Sequence, residues 1–169
     1  MTEEFETEEW DDFKRKCVRR YLRNVVYLKH KVARHESEIA ELRELAYSLS
    51  GVDYSRDNVQ TSPIPDALEN KVIEVQQRIA DGLADVDEYV DALGELKRTL
   101  DGMENQLHAR IVRMHYVDEA EYEDIVKAFK AEGSPWSIAS VKRFSAMGLD
   151  ELYYLMPHEW RVPAYPAFR

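Results

Sequence analysis

Cysteine is almost absent from this 169-residue chain. Cys17 stands alone, which excludes an internal disulfide and a cysteine-built zinc site and fits a reducing compartment. Glycine and proline are scarce, six of each, so few positions interrupt regular structure. No apolar run approaches the roughly 18 residues that cross a bilayer. The N-terminus also lacks the basic start and apolar stretch of a signal peptide. A soluble cytoplasmic protein with no membrane partner is therefore expected. Missing too are a glycine-rich phosphate loop, a nucleophile elbow and a cysteine–histidine signature. His30, His35, His108, His115 and His158 include no pair at metalloprotease spacing. We expect no enzyme, and we assign no catalytic residue, metal or cofactor.

Charge is abundant, at 33% of residues, and with so few helix breakers it points to an all-α protein of long helices. The net charge of -10 argues against sequence-blind adhesion to nucleic acid, which needs clustered bases. Its distribution matters more. Residues 1–12 carry seven acids and no base, whereas residues 13–35 carry nine bases and no acid. The chain thus has a basic block, beginning with Lys14, Arg15, Arg19, Arg20 and Arg23, behind an acidic leader that we expect to be flexible.

Beyond the leader, Val18, Tyr21, Val25, Leu28, Val32, His35, Ile39, Leu42, Ala46 and Leu49 alternate in steps of three and four, the seam of a coiled coil. A second seam runs Val72, Val75, Ile79, Gly82, Val86, Tyr89, Leu93, Leu96, Leu100, Met103 and Leu107. Gly82 is its weak position, costing about 1 kcal/mol against alanine and marking a bend or a close helix crossing. A polar, turn-rich stretch lies between the seams. The expected organisation is helices over about 13–50 and 66–103, a loop at 51–65, and antiparallel pairing into a helical hairpin across residues 13–103. Pairing of that kind sets Lys14–Arg23 beside Leu100–Arg113. His35, alone on the seam, reads as a register-setting polar residue and not as a ligand.

Residues 104–155 read as a separate helix-turn-helix body. Leu107, Ile111, Met114, Ile125, Val126, Phe129, Ile138, Val141, Phe144, Leu152 and Leu155 follow helical spacing. Breaks fall at Asp118–Glu121 and at Gly133-Ser134-Pro135. The third helix opens either at Ser134-Pro135 or with Ser137 as its cap. The remaining segment, 156–169, holds three prolines and is expected to pack over the surface or on a partner.

The basic first helix, the loop ending Val59-Gln-Thr-Ser-Pro63, the second long helix and the C-terminal helices together resemble small phage and prophage proteins of Gram-positive bacteria. Those proteins are related to late transcription regulators of the RinA and ArpU type, whose C-terminal part is sigma-factor-like. Ile111–Tyr116, Tyr122-Glu-Asp-Ile-Val126 and Trp136-Ser-Ile-Ala-Ser-Val-Lys-Arg143 carry the likeness there, with His115 where that family usually has arginine. The resemblance implies a promoter-binding protein of the bacterial host cytoplasm, acting with host RNA polymerase.

Double-stranded DNA, at a promoter or operator, is accordingly the expected partner. Trp136, Ser137, Ser140, Lys142 and Arg143 would supply base and phosphate contacts from the third helix. Lys14, Arg15, Arg19, Arg20 and Arg23 would add the electrostatic footprint. A homodimer is expected, since such proteins read paired half-sites. The alternative is a coiled-coil protein that binds another protein and no DNA, favoured by the net acidity and the base-poor third helix.

Overall fold

The computed structural model describes the backbone of residues 2–50 and 64–161, and the side chains of 9–45 and 70–161. Within them the chain is helical, with no strand. Two long helices, α1 (Thr2–Ser50) and α2 (Ile64–Asp101), precede three short ones, α3 (Gln106–Val112), α4 (Tyr122–Ala131) and α5 (Ile138–Leu155). The expected loop 51–65 lies almost wholly outside the described residues, as do the seam side chains of Ala46 and Leu49 and the tail beyond Arg161. Segment 2–12, expected to be a flexible leader, is part of α1. Asp11 pairs with Lys14 at 2.7 Å and Asp12 with Lys16 at 2.6 Å, one helical turn on, so acids and bases of the two blocks support one helix.

The chain divides into two compact units, Met1–Tyr27 with Asp91–Arg169, and Leu28–Val90. In the second unit, Leu28 and Gly82 are buried while Val32, His35, Ile39, Leu42, Val75, Ile79 and Val86 are half-buried. Val72, read into the seam, is exposed. Lys31 donates to Asp85 at 2.6 Å, and Arg78 reaches Glu38 at 3.3 Å. As residue numbers rise on α1 they fall on α2, so the two segments of this unit run antiparallel. At Gly82 an added Cβ would lie 3.5 Å from Ile39 Cδ1 and 3.6 Å from His35 Cβ, so the glycine faces α1 without being squeezed by it.

The other unit is built around Val18, Tyr21, Leu22 and Val25 of α1, Leu96 and Leu100 of α2, and the inner faces of α3 to α5, all buried. Polar caps set the helix ends. Asn105 Oδ1 accepts from the amides of Leu107 and His108 and starts α3. That helix widens into a π-turn at Arg113–Val117, which positive-φ Glu119 follows (59°). Gly133, with φ of 85°, closes α4 in a Schellman motif: its amide donates to Lys130 O, and the Ser134 amide donates to Phe129 O. Ser134 is thereby committed to the end of α4. Ser137, the other reading, caps α5, its Oγ accepting from the Ser140 amide at 3.1 Å.

Where α5 crosses α3, Gly148 is the point of closest approach. An added Cβ would stand 2.7 Å from Val112 Cγ2 and 3.2 Å from His108 O. At the far end of α5 the Arg161 guanidinium donates to Met156 O and Tyr154 O, satisfying carbonyls that the helix leaves open.

Candidate nucleic-acid interface

The first half of α5 presents Ser137, Lys142 and Arg143 as exposed residues, with Ser140 half-buried. Trp136, 39% exposed, sets its ring edge-on to Phe144 at 5.2 Å and so anchors the start of the helix while keeping one face open. The Ser137 and Ser140 hydroxyls are 2.9 Å apart and already hydrogen-bonded to each other, so the first duty of Ser137 is to the helix end. Lys142 Nζ lies 5.5 Å from the centroid of the Tyr122 ring, a cation–π geometry that orients the ammonium.

Tyr122 is the hinge of this surface. His115 from the π-turn stacks on it at 4.0 Å and donates from Nδ1 to Ala120 O at 2.9 Å. The Tyr122 hydroxyl reaches Ser145 Oγ at 3.3 Å. Burial pushes its pKa up. Its bond to Ser145 and the nearby positive charge of Arg19 pull the other way. The Lys142 ammonium of α5 therefore sits on the Tyr122 ring of α4, while the charge of Arg19 on α1 is the smallest influence on that hydroxyl.

Lys14, Arg15 and Arg20 of the α1 basic block make contacts within the fold. Lys14 is only 7% exposed, pairs with Asp11, and sits 5.6 Å over the Tyr154 ring. Arg15 grips both carboxylate oxygens of Asp150, at 2.8 and 2.7 Å. Arg20 packs 5.6 Å from the Trp160 ring and donates to the Trp160 carbonyl at 3.1 Å. These three cations hold α1 to α5 and to the turn at His158–Trp160. Arg23 is exposed and Arg19 half-buried.

The structure also has a groove with no signature in local spacing. It holds about 380 Å³ between the end of α2 and α3, floored by Leu93, Leu96, Leu100 and Val117 and edged by Lys97, Asp101, Arg110 and Arg113. Arg110 is held there by Glu132 and by the Phe129 ring, 4.8 Å away.

Among the described residues no group of three metal-ligating side chains comes together, and no helix is long and apolar enough to cross a membrane. Compared with protein-family models, with curated proteins and with solved structures, the chain matches none.

Proposed function

We propose that the chain is a DNA-binding transcription regulator of the phage type, in which a coiled-coil hairpin carries a sigma-like helix-turn-helix and does no chemistry of its own. The observation that carries this reading is the first half of α5, where Lys142 and Arg143 are exposed and the Lys142 ammonium is oriented over the Tyr122 ring. Arg23 of α1 is exposed as well, and in this reading it adds to the phosphate-binding charge. In this reading Ser140, Lys142 and Arg143 face the major groove, Trp136 flanks it, Arg19 and Arg23 meet the backbone, and Ser137 holds the helix end. Host RNA polymerase and a bacterial cytoplasm belong to the same reading.

A second reading, a protein that binds another protein and no DNA, is favoured by the groove between α2 and α3, with its apolar floor and an edge of mixed charge.

Fluorescent duplex DNA from the flanking genome region and a scrambled duplex, titrated across a salt series, separate the two. Lys142→Ala and Arg143→Ala should each weaken binding and lower the salt slope by about one. Absence of binding at low salt would sink the regulator and leave the protein-binding reading.

A further inference from the structure

His35 sits on the α1 seam of the unit Leu28–Val90, opposite Gly82 of α2, where an added Cβ would lie 3.6 Å from its own Cβ. One edge of its ring has a partner. Nε2 stands 2.6 Å from Asp85 Oδ2, and the second oxygen of that carboxylate takes the Lys31 ammonium at 2.6 Å. The other edge lacks one. Nδ1 is buried without a hydrogen-bond partner among the described residues, while Glu38 Oε2, one turn on, is 3.8 Å away and meets Arg78 of α2 at 3.3 Å. A neutral imidazole has one N–H and one lone pair. Asp85 claims the N–H for Nε2, which leaves Nδ1 as a buried lone pair beside a carboxylate, unsatisfied and repelled. A proton on Nδ1 turns it into a donor, and Glu38, whose side chain is 38% exposed, has to close by only about 1 Å to accept from it. Facing the ring are Lys31 and Glu38 from α1 and Asp85 and Arg78 from α2, two of each sign; Asp81, one turn before Asp85, is exposed and accepts from Gln77. The two cations each hold one of the carboxylates already, so they temper the gain but give Nδ1 no donor.

We propose that His35 is a proton-operated latch in this unit: a proton taken up from solvent on Nδ1 ties Glu38 to the ring and firms the pairing of the two long helices. The imidazolium bridges Asp85 and Glu38, so the Lys31–Asp85 and Arg78–Glu38 pairs, separate without that proton, become one chain of charges across the seam. Histidine is the side chain whose charge changes in the physiological pH range. The folded unit binds the added proton more tightly than the unfolded chain does, so its stability rises as the pH falls through that range and is lost as the pH climbs back. The sign is opposite to that of paired carboxylates in stronger acid. The latch acts whether or not the protein binds DNA.

Amide hydrogen exchange of the full chain, read peptide by peptide at about pH 8 and about pH 6 and corrected for the intrinsic exchange rate, tests this. Protection across residues 28–45 and 70–90 should rise about three- to tenfold at the lower pH, the span of one hydrogen bond. His35→Gln keeps a donor for Asp85 but takes up no proton, and the rise should vanish with helical circular dichroism retained. Glu38→Gln leaves the histidine in place and removes the charge that receives the new bond, so it should shrink the rise. His30→Gln changes the other histidine of the unit and should leave the rise whole. Equal protection at the two pH values in the wild type, a rise that persists in His35→Gln, or one that disappears in His30→Gln would each overturn the proposal.

Discussion

Arg15 on α1 and Asp150 on α5 form a two-pronged ion pair, the guanidinium Nε at 2.8 Å from one carboxylate oxygen and the terminal nitrogen at 2.7 Å from the other. The side chains are each about one-third exposed, at 31% and 28%. Such a fork is directional and adds specificity as well as energy, though solvent screens part of it. The pair fastens the base of α5 to the first long helix. Asp150→Asn removes the charge and half the fork, and we expect a loss of about 1 kcal/mol in urea unfolding of the full chain. An unchanged unfolding midpoint would show that the pair is ornamental.

Gly148 should be intolerant of any side chain. Its missing Cβ is replaced by Val112 Cγ2 at 2.7 Å, and the His108 carbonyl, which belongs to the backbone of α3, stands 3.2 Å away. Gly148→Ala is expected to destabilise the protein by about 1–3 kcal/mol, in spite of alanine's better helix propensity. Paired with Val112→Ala, the two losses should be smaller together than their sum, because the second change vacates the space that the first one needs. Strict additivity in that double-mutant cycle would refute the contact.

The opposite sign is expected at Gly82. There an added Cβ meets only Ile39 and His35 side chains at 3.5 Å and beyond, ordinary van der Waals distances. Gly82→Ala should therefore stabilise by about 0.5–1 kcal/mol, the helix-propensity gain with little strain. Thermal denaturation followed by circular dichroism reads it directly, and a lower melting temperature would contradict the geometry.

Acid should weaken the unit Leu28–Val90 through Asp85. Its hydrogen bond with Lys31 is the largest influence, and the neighbouring His35 adds to it; together they hold the carboxyl below the usual aspartate range. A carboxyl whose pKa falls on folding contributes stability above its unfolded value, about 3.9, and loses it as pH drops through the lower folded value. Urea midpoints should thus decline as the pH is lowered from about 5 to about 2. Asp85→Asn should flatten the part of the slope due to this group. A slope identical in the variant would exclude Asp85 as a source.

The two seams and the short amphipathic helices were legible in the spacing of apolar residues, because helical periodicity is written along one dimension. Helix ends were legible where the chemistry is local, as at Ser137 and Gly133. Ser134-Pro135, an equally good opening on paper, lost to Ser137 because the Ser134 amide is drawn into the end of α4. Sequence alone also supplied the basic block, yet it treated Lys14, Arg15, Arg19, Arg20 and Arg23 as equals.

By itself, then, the order of residues determined that the chain is helical, where most helices stop, and most of the positions that turn inward, though Val72, Ile138 and Leu155, read the same way, are exposed. Tertiary structure alone decided which charges are available. Arg15 and Arg20 are engaged by Asp150 and Trp160, more than a hundred positions away. The physical reason is that burial of an apolar face depends on each helix's own period, but the partner of a cation depends on which helices meet, and only packing brings those together.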